Sequence, residues 1–497
     1  MRRFLFPLLL LLTALLLAPL VALRAAETNP AKPNVLLIIL EDWGPYLHCY
    51  GETEIYTPNL DQLASEGHLY RNCFSSGPVC SVGRSTLMVG LSQYTTHTEQ
   101  HRTAPDQKPD LPQGVQSLPD LFRSAGYFTA LGCGYSRKVD LNFKFDEKVS
   151  YQGKDWSERP PGQPFYAHLT LMQTHRSWKG DKQRPIDPQL VTLPLWYPDT
   201  PLTRKDWALG LESAQTSDRD IGDIVARLKK DGLYDNTIIV ITSDHGVALP
   251  RAKQFIYDEG LHIPLIIHYP ARVAPGAISG ELVTNLDFVP TILDLAGMPR
   301  PAYLQGRSLV DPNQKEPAYI FGGRDKMDDT HDACRTARSH DFRYILNLMP
   351  ERAYCQFNQY KEQQYPGLAV LNVLHLQGKL PPEQDAFMKE KKPAEELYDI
   401  RKDPSEVHNL ADNPEYSATL NECRSHLAKW RTAVGDTGVT PEFRAGGWPG
   451  IYPTRPLEEW LSIESMWENH ILHGSVKPEI PRPPQFFPET KYPKPEK

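Results

Sequence analysis

The chain has 497 residues, enough for one large domain and a smaller one. Its net charge of −7 argues against a general nucleic-acid binder, because binding to phosphates rests on an excess of cations. A mean hydropathy of −0.47 makes most of the chain water-soluble and leaves only the N-terminus apolar enough to span a bilayer.

Arg2 and Arg3 form a charged opening, and the run from Phe4 to Leu23 is almost wholly apolar, interrupted by Pro7 and Pro19. Small residues at Ala22, Ala25 and Ala26 offer cleavage points. This pattern predicts a signal peptide over residues 1–26 and an exported protein: periplasmic, extracellular or lumenal, with no stable membrane span after cleavage. An uncleaved signal anchor is the alternative. The seven cysteines are Cys49, Cys73, Cys80, Cys133, Cys334, Cys355 and Cys423. An exported chain could pair six and leave one. Their spacing fixes no pairing, and buried thiols are the other reading.

Asn34 to Leu40 is a continuous apolar run, the pattern of a strand buried on both faces of a parallel sheet. Glu41-Asp42-Trp43-Gly44 follows at its carboxyl end, the side of an open α/β sheet where ligands bind. A short helix is expected over Leu60 to Gly67, with Asn59 as its cap, and another over Ser117 to Gly126. Strands are expected at Tyr127 to Leu131, at Pro164 to Leu171 and at Thr237 to Thr242. Between the last two, Ala214 to Lys230 has helical periodicity and stops at Asp231-Gly232. Leu265 to His268 and Asp287 to Ala296 continue the alternation. Strands alternating with helices predict a three-layer α/β/α sandwich with a mostly parallel central sheet.

The composition changes near Pro312 to Pro317. The short runs Tyr319-Ile320-Phe321 and Phe342 to Leu346 suit an antiparallel sheet, and an amphipathic helix is expected at about Tyr416 to Val434. The organisation expected is therefore a catalytic α/β domain over 33–312, a smaller C-terminal α+β domain over 313–475, and a Pro-rich tail over 476–497 that wraps the surface or is loosely ordered.

Two acidic clusters, Glu41-Asp42 and Asp244-His245, follow two different buried strands and would meet at one edge of the sheet. Neighbouring acids repel unless a cation or an arginine neutralises them. Oxygen ligands with one imidazole suit Ca²⁺ or Mg²⁺ at a hydrolytic centre. Taken singly, such a pair is more often a turn or a cap.

The run Cys80-Ser81-Val82-Gly83-Arg84-Ser85-Thr86-Leu87-Met88-Val89-Gly90 resembles the modification motif of type I sulfatases, of the alkaline phosphatase superfamily. The resemblance extends over roughly Pro33 to Gly438. It includes Thr57-Pro58-Asn59-Leu60-Asp61-Gln62-Leu63-Ala64, Ser243-Asp244-His245-Gly246, Lys253, and Glu395-Glu396-Leu397-Tyr398-Asp399 with Asp403-Pro404 and His408-Asn409-Leu410. Three departures stand out. Val82 replaces the usual Pro or Ala, Glu41 replaces the commoner Asp, and Lys138-Val139-Asp140 lacks the histidine that many relatives carry two residues after the lysine.

The resemblance implies an exported sulfatase acting on sulfate esters, with sulfated carbohydrate as the expected substrate class. It implies formylglycine made from Cys80 by a separate maturation enzyme. One divalent cation, Ca²⁺ or else Mg²⁺, would be held by Glu41, Asp42, Asp244 and His245. Arg84 would hold the hydrated aldehyde, Lys138 and Lys253 would meet sulfuryl oxygens, and His175 or His101 would have to protonate the leaving alcohol. A phosphodiesterase or phosphonate hydrolase of the same superfamily is one alternative. A non-catalytic carbohydrate-binding relative is the other.

Overall fold

The structure is a computed structural model that describes residues 32–447 and 454–483. The expected signal segment and the end of the Pro-rich tail lie outside the described residues. From Asn34 onward the chain forms one compact unit.

Seven strands build the main sheet: β1 (Asn34–Leu40), β2 (His68–Phe74), β3 (Phe128–Leu131), β4 (Phe165–Leu171), β5 (Thr237–Ser243), β6 (His262–His268) and β7 (Ala277–Thr284). Their order is β3-β4-β1-β5-β6-β2-β7, and only β6 runs against the others. A second, four-stranded sheet has β8 (Ile320–Arg324), β9 (Cys334–Arg338), β10 (Phe342–Asn347) and β11 (Glu395–Asp399) in the order β11-β10-β9-β8, antiparallel throughout. The longer helices are α1 (Pro58–Glu66), α2 (Cys80–Val89), α3 (Leu118–Ser124), α4 (Pro201–Lys230), α5 (Phe288–Leu295), α6 (Gln359–Gln364), α7 (Pro366–Leu376), α8 (Ser417–Ala433) and α9 (Leu457–Ile471).

The continuous apolar runs are strands because both faces are covered. In β1, Leu36, Ile38 and Leu40 enter one core cluster and Val35, Leu37 and Ile39 the other. β5 divides the same way, Ile239 and Ile241 against Ile238 and Val240. Period-two alternation thus feeds two cores, one on each side of the sheet. Each such side chain contributes about 1.5–3 kcal/mol on burial, which makes these two central strands the rigid base for whatever follows them.

Several expectations are corrected. Helix α1 begins at Pro58 with Thr57 as its N-cap; Asn59 lies inside the first turn, and its amide donates to Asp218 instead, at 2.8 Å. Helix α4 begins at Pro201, well before Ala214, on a capping box between Thr200 and Thr203. The cysteines form no disulfide: all seven are free, and six of them are buried. The described part of the tail, 476–483, packs on the surface, with Ile480 buried among residues of α7 and α9. No helix among the described residues is long and apolar enough to cross a membrane.

Helix α2 lies against the end of β5 with no space to spare. A Cβ on Gly83 would collide with the Asp244 carbonyl oxygen and crowd Ser75 Oγ. Gly83→Ala is therefore expected to destabilise the fold by about 1–3 kcal/mol in a denaturant titration and to displace Asp244. An unchanged midpoint would refute this contact. The free thiols make a second expectation: reducing agent leaves the thermal midpoint unmoved, because no disulfide holds the fold.

Candidate active site

The site forms where β1 and β5 end beside the first turn of α2. Asp42 takes a left-handed backbone, φ 54°, which costs energy for a residue with a Cβ. Neighbouring groups hold it there. Its amide donates to Asp244 Oδ1 at 3.0 Å, the Trp43 amide donates to Ser243 Oγ at 3.0 Å, and the Glu41 amide donates to the Leu171 carbonyl at 3.1 Å. Trp43 then stacks on Trp207 of α4, with ring centroids 5.8 Å apart, and anchors the turn in the core.

Cys80 is the first residue of α2 and is fully buried. Its sulfur lies 3.3 Å from Asp42 Oδ1, 3.5 Å from His245 Nε2 and 3.5 Å from Lys253 Nζ. Burial, and then the Asp42 carboxylate, push the thiol well above its usual pKa. As a thiol it is therefore a poor nucleophile.

Asp42, Cys80, Asp244 and His245 each offer one ligand atom, all within 4.8 Å of one another. His245 Nδ1 lies 2.8 Å from the Gly246 carbonyl, which can only accept, so Nδ1 carries a hydrogen. Nε2 meets Asp42 Oδ1 at 2.9 Å, a contact that needs a positive charge shared between them, whether a proton or a metal ion. Carboxylate oxygens with one imidazole fit a divalent cation. Glu41 falls outside this group of four and forms a second one with Asp42 and His175.

Fixed cations surround the acids. Arg84, fully buried, pairs with Glu41 and donates Nε to Asp244 Oδ2 at 3.2 Å; its Nη1 donates to the Lys138 carbonyl at 3.1 Å and to Thr170 Oγ1 at 3.2 Å. Lys138 pairs with Glu41 and lies 3.6 Å from Asp140. Lys253 donates to Asp42 Oδ2 at 2.5 Å. Burial works to raise both carboxyl pKa values but is outweighed: Arg84 and Lys138 hold Glu41 well below the usual range, and Lys253, His175 and His245 do the same for Asp42.

The two histidines expected to reach a leaving group are placed differently. His175 Nε2 is 3.7 Å from Asp42 Oδ2, its Nδ1 is 2.6 Å from the Arg176 carbonyl, and the side chain is 19% exposed. His101 is buried, with Nδ1 2.8 Å from Ser81 Oγ and Nε2 3.4 Å from Asp328 Oδ1. Burial lowers its pKa to about 4, so it is neutral near pH 7. Glu41, Asp42, Cys80, Arg84, Lys138, His175, Asp244, His245 and Lys253 thus share one cluster, while His101 supports it from behind α2. Sequence reasoning missed Thr170, one residue before the end of β4, although strand-end position is a usable signal. It also missed Tyr360, whose surroundings in α6 carry no motif.

Comparison with known proteins gives this arrangement a family. A sulfatase family model matches residues 33–298. An ulvan-active sulfatase of Formosa agariphila is 32% identical over 473 residues, covering 84% of this chain and 78% of that protein. The N-sulphoglucosamine sulphohydrolase of Homo sapiens is 26% identical over 471 residues, covering 82% and 92%. A protein solved in complex with its substrate D-glucosamine-2-N,6-O-disulfate superposes with a TM-score of 0.58 at 20% identity, over 82% of this chain and 99% of that one. With more than half of its length matched by the family model and a relative this close along most of both proteins, the chain belongs to the sulfatase family of the alkaline phosphatase superfamily and is a sulfuric-ester hydrolase.

Proposed function

We propose that this sulfatase hydrolyses sulfate esters of carbohydrates through a formylglycine made from Cys80, with one divalent cation, Ca²⁺ as the first choice. The observation that carries the reading is the position of Cys80: its sulfur is in contact with an acid, an imidazole and an ammonium at the start of a helix. The names of its relatives, one acting on ulvan and one on N-sulphoglucosamine, support a sulfated carbohydrate.

In this reading Glu41, Asp42, Asp244 and His245 hold the cation. The metal supplies positive charge and acidifies a coordinated oxygen. Hydrated formylglycine supplies an oxygen nucleophile where a buried thiol is a poor one. Arg84 keeps Glu41 and Asp244 in place and adds a fixed charge beside residue 80. Lys138 and Lys253 offset charge on the sulfuryl oxygens, and His175 gives a proton to the leaving alcohol. Glu41, Asp42 and Asp244 are matched by Arg84, Lys138 and Lys253, with Asp140 also beside Lys138, so a bound divalent cation would tip the site to net positive charge. That sign attracts an anionic ester. The catalytic domain is read as 33–312 and the C-terminal α+β part as 313–475, with export directed by residues 1–26 and a maturation enzyme as the one protein partner.

The mass of the tryptic peptide 72–84, from protein made in its native host, tests the reading directly. Replacement of the Cys80 thiol by an aldehyde is expected, together with turnover of sulfated glycans; Cys80→Ala should reduce that turnover by on the order of 10³ or more. A retained thiol with cleavage of aryl phosphodiesters instead would move the protein to the phosphodiesterase reading. Exhaustive chelation should remove activity and Ca²⁺ should restore it. Calcium at about 100 times its dissociation constant should also raise stability by about 2.7 kcal/mol, read as a higher thermal midpoint. Activity and midpoint that ignore chelation would remove the metal from the reading.

A further inference from the structure

Tyr360 reaches the acid cluster from the far half of the chain. It is the second residue of α6, and α6 is tied to the loop that carries Lys253. Asn358 caps the helix by accepting from the Lys361 amide at 3.0 Å and donates to Gln254 Oε1 at 2.9 Å. Lys361 Nζ donates to the carbonyls of Pro250 and Lys253 at 2.8 and 2.9 Å. Six backbone or side-chain groups thereby fix where the tyrosine ring stands.

That ring borders two of the residues given roles above. The Lys253 ammonium is 4.9 Å from its centroid, and the His175 ring is 6.2 Å away at 53°. The hydroxyl is buried; the Lys253 ammonium is near enough to donate to its oxygen, while its own hydrogen meets no acceptor at ordinary distance, and Asp42 and Cys80 act on it only electrostatically. Buried tyrosine hydroxyls are normally paired. The Tyr360 side chain as a whole is only partly buried, and its enclosed hydroxyl stands beside Lys253, whose ammonium also lies 3.5 Å from the Cys80 sulfur.

We infer that the Tyr360 hydroxyl donates a hydrogen bond to the leaving-group oxygen of the sulfate ester. The inference rests on the sulfatase reading above. As the ester S–O bond breaks, its electron pair stays on the leaving oxygen. Tyr360 Oη–H stabilises the charge that develops there, and a proton from His175 completes the alcohol. The sulfuryl group passes to the oxygen nucleophile at residue 80. Tyr360 itself stays protonated throughout, as an ordinary phenol does near neutral pH.

The test is Tyr360→Phe in the full, matured chain, assayed on sulfate monoesters whose leaving groups run from nitrophenol to a simple alcohol. Turnover of the alcohol ester is expected to fall about 10- to 100-fold, with nitrophenyl sulfate changed less than about threefold, so that the dependence on leaving-group basicity steepens. The thermal midpoint should stay close to that of the unchanged protein, because Lys253 keeps Asp42 as its partner when the hydroxyl is gone. Equal losses on all esters, or losses that track a lowered midpoint, would show a structural role and overturn the inference. A wild-type enzyme that cleaves no sulfate ester would overturn the reading beneath it, and the inference with it.

Discussion

Three carboxylates buried together at the ends of two neighbouring strands are the constraint around which this protein is built. Taking one carboxylate out of water costs several kcal/mol even after relaxation, and removing the partner of a buried charge costs about 3–5 kcal/mol. Glu41, Asp42 and Asp244 are all inaccessible to solvent. They are tolerable only because Arg84 spans Glu41 and Asp244, Lys138 closes on Glu41, and Lys253 closes on Asp42. Each cation arrives on a different segment: Arg84 on helix α2, Lys138 on the loop after β3, Lys253 on the loop after β5. Satisfying the acids therefore joins regions that the chain separates widely, and the same requirement gives the site its charge balance.

The four-stranded sheet serves that requirement as well. Arg251 donates to the Ser405 and Glu406 carbonyls, which ties the Lys253 loop to the segment after β11. Arg338 and Arg343, from β9 and β10, both pair with Asp258, just beyond that loop. Lys361 is buried, burial followed by the nearby Arg324 holds its pKa well below the ordinary lysine range, and its Nζ donates to the carbonyls of Pro250 and Lys253 as a post under that loop. The second half of the chain thus positions one lysine of the site to within hydrogen-bond tolerance. It also supplies the wall on which Tyr360 stands.

What could be read from the sequence follows from these facts. The central strands were legible because both faces are apolar and the run is unbroken from Asn34 to Leu40 and from Thr237 to Thr242. The start of α4 was not, because its buried face carries acids that do work elsewhere: Asp206 pairs with Arg176 at 2.5 and 2.8 Å, Glu212 accepts the amides of Asp181 and Ile186, and Asp218 accepts those of Asn59 and Leu60. Polar residues on an inward face break the apolar period that marks a helix. The same Asp218 explains Asn59, a residue with a cap's chemistry whose side chain is taken by tertiary structure. The acid pairs and Cys80 were visible through motif and spacing; Tyr360 was not, since only the fold brings it near, and Thr170 carried no signal beyond its place near the end of β4. The cysteines illustrate the reverse limit: their count suggested pairing, but their placement is set by packing.

Val82 is the departure from the family pattern that bears most directly on maturation, and its setting separates two constraints. It is the third residue of α2, and the first three amides of a helix have no partner within it. Gly83 is the first to bond back, to the Val79 carbonyl at 2.9 Å. A proline at position 82 would therefore cost no helical hydrogen bond, and the valine earns its place by packing with Val79 and Met327 in a small buried cluster. The folded protein thus sets no hydrogen-bonding preference between the two residues. Cys80 itself is fully enclosed in the fold, beneath the same first turn. Under the proposed function, conversion at residue 80 would have to precede folding, on an extended chain that presents Val82 to the maturation enzyme. In that reading the substitution bears on the maturation enzyme's tolerance and not on the hydrogen bonding of the folded site.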